Sequence, residues 1–386
     1  MSQEVTCRSG AAADLAAVLD ARGLHRVLLV TGRGSYTDSG AEAALNGALA
    51  DRPHERFCDF DENPKLEHVL EGVERFRAFR PDCVVAVGGG SAMDTAKLIA
   101  VFAAQEGPAI DYVEGRRSIA DGAVPLIAIP TTAGSGSQTT HFAVLYVDRT
   151  KFSVAHPTLL PAVALVDPDL LTALPDLVAA SAGLDALNQG IESFWSIHAT
   201  PASREAAAES VRLAWAHLPD FVSKRDAASR AGMALAAQLA GEAIDVTKTT
   251  APHAISYPIT SHFGVPHGHA VGLVLPSILI YNAGVESDDC LHPAGADAVR
   301  ASIAELVELL GATDTREAAL RYATVMEEVG LRRDLATLGI RTREDLDLIV
   351  SNGFNPQRVN NNPRRLTEAA LRRMLEALLA GGGGPS

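Results

Sequence analysis

A chain of 386 residues is longer than one hydrophobic core usually fills, so two domains are expected. Hydrophobic residues make up 47% and charged residues 21%, mixed along the whole length, which excludes a disordered or fibrous chain. A net charge of −14 without a long basic run excludes nucleic acid and acidic membrane surfaces as expected partners.

Cys7, Cys58, Cys83 and Cys290 are scattered with no CxxC spacing, which argues for free thiols and against a cysteine zinc site. The opening MSQEVTCRSG lacks an apolar signal core, and no apolar run is long enough to span a bilayer. A cytoplasmic protein is the expectation.

In chain order, His25 to Thr31 reads as a buried strand, Gly32 to Ser39 as the turn after it, and Ser39 to Leu49 as an alanine-rich helix. FCDFDENP reads as a loop before another helix reaching about Arg80. CVVAVGGG is a second buried strand ending in glycine, and SAMDTAKLIAVFAAQ the helix that follows. PLIAIPTT is a third strand, again ending in a polar, glycine-rich turn. HFAVLYVDRTKFSVAH reads as a hairpin turning at Asp148 and Arg149, and ALVDPDLLTALP as a strand with a proline-bounded turn. Strands alternating with helices imply right-handed βαβ units and a parallel sheet. After about Pro175 only helical spacing remains, and the GGGGPS tail reads as a frayed end. The expected domains are an α/β unit over 1–178 and an all-α unit over 179–386.

Two turns carry the marks of a nucleotide site. Gly88, Gly89, Gly90 and Ser91 join a buried strand to a helix, where backbone N–H groups and the helix dipole favour a phosphate. Asp94 and Lys97 make the first turn of that helix polar. Thr131, Thr132 and Ser135 repeat the design after the next strand, and ligands of open α/β sheets bind at carboxyl ends of strands. After the first strand, Gly32 and Arg33 stand where a carboxylate would read a ribose. That predicts NADPH, with NADH as the alternative.

The stretch PHAISYPITSHFGVPHGHAVGLVLP holds His253, His262, His267 and His269. His253 and His267 lie fourteen apart, a spacing that suits two arms of a helical hairpin converging on a metal. Asp185 and Gln189 are four apart, and so would share one helical face. For His262 and His269 the plain reading is decoration of a polar loop.

GGGSAMDTAK, PTTAGSGSQTT, KFSVAHP, VDPDL, GLDAL and PHG, in this order, resemble the iron-containing (group III) alcohol dehydrogenases over essentially the whole chain. The resemblance implies a dinucleotide-binding α/β domain and a helical domain, an architecture shared with dehydroquinate synthase. It also implies one divalent metal, Fe2+ or Zn2+. By position, Gly88 to Ser91 would hold the pyrophosphate, while Asn63, Thr131, Thr132, Ser135, Lys151 and Leu170 line the nucleotide. Asp185, His253 and His267 fall on metal-ligand positions. The family's further histidine is replaced by Gln189, a harder and weaker ligand, and its HxxxH pattern reads His253 to Tyr257.

KTTAPHAISYPITSHFGVPHGHAV resembles the branch that reduces phosphonoacetaldehyde to 2-hydroxyethylphosphonate. Partners for a phosphonate would be Lys248, Arg358, Asn360, Asn361 and Asn362, although NNNPRR also reads as a capping loop. Proton-transfer candidates are Tyr257, His262, His269 and Lys248. The expected partners are a small aldehyde or alcohol and a second copy of the chain. Alternatives are a general short-chain alcohol dehydrogenase, a dehydroquinate synthase-like lyase, and a metal-free nucleotide-binding protein.

Overall fold

The computed structural model describes residues 3–148 and 150–380; Arg149 of the expected hairpin turn and the GGGGPS tail lie outside them. The chain divides into two compact units, Met1–Leu174 and Pro175–Ser386. The expected boundary after residue 178 falls inside the helix Asp176–Trp195, whose start Pro175 sets.

The first unit is built on a six-stranded sheet ordered β1-β8-β5-β4-β2-β3. Its strands are β1 (Glu4–Cys7), β2 (Val27–Thr31), β3 (His54–Phe57), β4 (Cys83–Gly88), β5 (Leu126–Pro130) and, after the hairpin of β6 (Phe142–Val147) and β7 (Thr150–Ala155), β8 (Val163–Val166). Every pairing within the sheet is parallel, and the separate β6–β7 hairpin is antiparallel. VLLVT in β2 and CVVAVG in β4 are buried throughout, as strands covered on both faces require. Alternate side chains feed two cores, one around Leu28, Val84 and Ile99 and the other around Leu29, Val85 and Leu45. β1 and β3 were not expected. Both are four-residue edge strands with charged, exposed positions, so neither carries an apolar run.

β2 pairs with β3 on one side and β4 on the other, so the chain reverses direction across the sheet between β2 and β4. Thr31 lies opposite Val87, and Gly88 opposite Pro130. The turns after β2, β4 and β5 are therefore neighbours at the carboxyl edge, where open sheets bind ligands.

The second unit is built of helices, with one isolated antiparallel bridge, Cys290 to Arg364, among its described residues. Its helix Asp176–Trp195 is buried on nearly all sides, the mark of a core helix. It packs against Pro201–Ser223, Ala227–Thr247 and His267–Ala283. Helix starts are capped by Thr200 in a capping box with Ser203, and by Asp226, Asp314, Thr342 and Thr367. No described helix is long and apolar enough to cross a membrane.

Candidate metal centre and nucleotide turns

Ala251–Phe263 and His267–Ala283 form the expected helical hairpin, joined through Gly264, Val265 and Pro266. His253 sits in the first turn of one arm and His267 opens the other. Their rings lie 5.2 Å apart, inclined at 73°. Asp185 comes from the central helix. One ligand atom each from Asp185, His253 and His267 lie within 4.8 Å of one another, and His253 Nε2 is 3.4 Å from Asp185 Oδ1.

The central helix reaches this point because small residues let the hairpin approach. A Cβ on Gly268 would stand 2.0 Å from the Ser181 carbonyl and 2.7 Å from Asp185 Cβ. Asn188 Nδ2 donates to the Gly268 carbonyl over 3.1 Å and seals the contact.

Gln189 is 3% exposed, and its Nε2 donates to Asp185 Oδ2 over 3.0 Å. Its Oε1 is buried without a hydrogen-bond partner. Such an acceptor costs about 1–3 kcal/mol unless something occupies it. The imidazole of His253 is also held by Glu192, a fully buried carboxylate that its own sequence did not advertise. Burial alone would lower the His253 pKa, but the Glu192 and Asp185 carboxylates outweigh it and raise it to about 10. Two buried carboxylates and an orphaned amide oxygen around two imidazoles match what a divalent cation requires. The residues fit the metal.

The remaining expected residues divide into three groups. Tyr257 stacks on His267 at 6.1 Å and 24°, half-buried beside the cluster. His262 is exposed at the end of its helix. His269 is buried, with Nε2 on the Arg332 carbonyl at 2.6 Å, and burial lowers its pKa. That ring is engaged in holding the fold.

Lys248 ends the helix Ala227–Thr247 at φ 57°, ψ 175°, a backbone region otherwise nearly reserved for glycine. Its pKa falls to about 8, chiefly by burial, with Asp245 opposing and Arg358 adding to the fall. Arg358 is thus a buried neighbour within electrostatic reach. Asn361 Nδ2 donates to the Thr249 carbonyl over 2.9 Å, tying the Arg358 turn to the Lys248 corner. Asn282 and Asn362 exchange amide hydrogen bonds of 3.1 and 2.8 Å. Asn361 and Asn362 are therefore turned into the protein by their own hydrogen bonds, and Asn360 is exposed. The capping-loop reading does not fit, because the last helix starts at Glu368 behind Thr367; the buried amides of Asn361 and Asn362 are satisfied within the protein instead.

In the first unit, a Cβ on Gly89 would press on the Thr132 side chain at 3.2 Å, and one on Gly90 on Ser135 at 3.0 Å. The turns after β4 and β5 thus face each other across bare backbone. Thr131 N donates to the Gly88 carbonyl over 2.9 Å, while Thr131 Oγ1 is buried without a hydrogen-bond partner. This cradle fits a dinucleotide phosphate. Asn63, at φ 61°, donates its N–H to Ser91 Oγ over 3.2 Å, which ties the loop after β3 to the turn after β4.

Asp94 accepts from Ser137 Oγ at 2.5 Å and Val144 N at 2.9 Å. Buried Lys97 donates to the carbonyls of Thr140 and Phe142, both at 2.8 Å. Together they clamp the polar turn and the β6–β7 hairpin, where Lys151 lies opposite Tyr146. Leu170 is buried in the core under β8. Arg33 is exposed, with Nε on the Cys58 carbonyl at 3.2 Å. Arg56, absent from the sequence expectations, holds the same turn through the Gly32 and Arg33 carbonyls at 3.0 and 2.9 Å.

The family of iron-containing alcohol dehydrogenases matches residues 2–168, and its C-terminal counterpart matches residues 179–379. A phosphonoacetaldehyde reductase of Streptomyces viridochromogenes is 37% identical over 78% of this chain and 77% of its own. Long-chain-alcohol dehydrogenase 1 of Geobacillus thermodenitrificans is 32% identical over 84% of this chain and 82% of its own. Among solved structures, a sulfoacetaldehyde reductase of Bifidobacterium kashiwanohense in complex with NAD+ superposes with a TM-score of 0.87 at 32% identity, covering 98% of both chains.

Proposed function

The chain belongs to the iron-containing alcohol dehydrogenases, NAD(P)-dependent oxidoreductases acting on CH–OH groups, and from that premise we propose that it reduces phosphonoacetaldehyde to 2-hydroxyethylphosphonate with NADPH. The observation that carries the substrate is the pairing of Lys248 with Arg358, two cations held within reach of each other in the unit containing Asp185, His253 and His267. Asp245 already stands beside Lys248, its carbonyl accepting from Lys248 Nζ at 3.0 Å, and a substrate oxyanion would take both cations as charge-assisted donors. Two relatives act, by name, on two-carbon aldehydes ending in a tetrahedral oxyanion, which suits the same pair of cations.

Asp185, Gln189, His253 and His267 would hold the metal, and the turns at Gly88 to Ser91 and Thr131 to Ser135 the coenzyme. When bound, the ion supplies Lewis-acid polarisation of the carbonyl oxygen and the coenzyme supplies the hydride. Lys248 and Arg358 would fix the far end of the substrate and so orient its carbonyl. Tyr257 would serve the oxygen that gains a proton as aldehyde becomes alcohol, since it stacks on a histidine of the cluster. Gly32 and Arg33 support NADPH: the residues directly after β2 are a glycine and a guanidinium, not a carboxylate that would repel a 2′-phosphate.

The test is a reductase assay of the metal-loaded protein with phosphonoacetaldehyde, acetaldehyde and butanal, each with NADPH and NADH. A kcat/KM at least about tenfold higher for the phosphonate, one step of ~1.4 kcal/mol, is expected. Equal turnover of the uncharged aldehydes would remove the phosphonate and leave only the family.

A further inference from the structure

We propose that Glu192 is a positioning residue of the metal centre, fixing which nitrogen of His253 faces the ion and strengthening it as a donor. The proposal rests on the metal reading above. Glu192 lies seven residues after Asp185 and three after Gln189 on the central helix, so the three share one face. It is fully buried, and its two oxygens have separate duties. Oε2 accepts from Thr250 N at 2.6 Å and Thr250 Oγ1 at 2.8 Å. Oε1 receives Nδ1 of His253.

Thr250 is the N-cap of the helix Ala251–Phe263, which carries no side-chain cap of its own. Glu192 supplies that cap from another helix, with its charge at the positive end of the dipole. His253 stands three residues on, in the first turn, so the carboxylate that caps the helix also aims its imidazole. With Nδ1–H given to Glu192, Nε2 is the nitrogen left for the metal, and it is the one 3.4 Å from Asp185 Oδ1. A carboxylate behind a ligating imidazole fixes tautomer and ring orientation and raises ligand basicity. It also adds a second buried negative charge beside Asp185.

A purely structural role would make Glu192 a helix cap and nothing more, and metal affinity separates the two. Zinc and cobalt(II) dissociation constants are measured by chelator competition for the wild type, Glu192→Gln and Asp185→Ala, with NADPH fluorescence as a check on the first unit. Glutamine can accept on one oxygen only, so it cannot serve both Thr250 N–H and His253 Nδ1–H. E192Q is expected to bind metal about 10- to 100-fold more weakly than wild type, with coenzyme affinity unchanged. D185A is expected to bind none. Wild-type affinity in E192Q, while D185A loses the metal, overturns the role of Glu192 and leaves the metal site standing. No metal binding by the wild type overturns the metal reading, and this proposal with it.

Should E192Q not fold, the zinc-loaded wild type labelled with 15N-histidine decides the matter by NMR. The resonance assigned through His253→Asn is expected to show Nδ1 protonated and Nε2 metal-shifted. The reverse assignment overturns the proposal.

Discussion

Gln189 gives its amide nitrogen to Asp185 over 3.0 Å, one helical turn away on the same face, and keeps its oxygen buried without a hydrogen-bond partner. The amide is therefore oriented by Asp185, with its one acceptor held in reserve. Replacing Gln189 with histidine puts a softer, stronger ligand at that position. Gln189→His is expected to tighten zinc binding by about tenfold or more, which chelator competition reads directly as one step of ~1.4 kcal/mol. Unchanged affinity in a folded Q189H would show that position 189 takes no part in holding the ion.

Gly268 tests the close approach that brings the histidine arm onto the central helix. Its missing side chain makes room for the Ser181 carbonyl and the Asp185 backbone. Gly268→Ala must separate the two helices locally, and overpacking of this kind costs about 1–3 kcal/mol. Both a lower Tm of the metal-free protein and a loss of metal affinity are expected. A fall in Tm with metal binding intact would mean that Asp185 and the histidines tolerate the shift.

The parts of this molecule that were legible beforehand are those where local pattern and chemistry coincide. β2, β4 and β5 are short apolar runs ending in glycine or threonine turns, and the histidine hairpin announced itself through the fourteen-residue spacing of His253 and His267. Glu192 was not legible, because a glutamate at helical spacing looks like any solvated one until Thr250 and His253 arrive from another helix. Its place on the Asp185 face was the signal available. Asn361, Asn362 and His269 show the opposite failure. Their polarity suggested substrate partners in Asn361 and Asn362 and a proton donor in His269, but each is buried and bonded to the protein itself, through Thr249, Asn282 and Arg332. Only tertiary contacts distinguish a polar group that serves a substrate from one that satisfies the fold.

The coenzyme preference can be tested at Arg33, whose side chain is exposed at the end of β2. A charge-assisted hydrogen bond to a 2′-phosphate contributes ~1.5–3 kcal/mol, so Arg33→Ala should weaken NADPH about ten- to a hundredfold. NADH lacks the phosphate and should bind as before. Arg56→Ala makes a useful comparison, since Arg56 holds the Gly32 and Arg33 carbonyls. It is expected to weaken both coenzymes through the turn. Equal use of NADPH and NADH by the unmodified protein would remove the preference.

Lys248 makes the substrate proposal dependent on pH. Its folded pKa is lowered to about 8, mainly because burial disfavours the ammonium, with Arg358 reinforcing the fall against Asp245. The ammonium is thus present below about pH 8 and lost as pH rises through it. An anionic substrate that needs this charge should show kcat/KM falling above that point, since this quantity reports the free enzyme. Sulfoacetaldehyde is a suitable second substrate because a sulfonate keeps one charge throughout, so the step cannot arise from the substrate itself. Butanal carries no charge and should lack the step. Lys248→Ala should erase it for both anions and raise their KM about ten- to a hundredfold, the cost of one charge-assisted contact of ~1.5–3 kcal/mol. Butanal turnover should change little. A K248A protein that keeps both the pH step and the low KM would show that the phosphonate end is bound elsewhere.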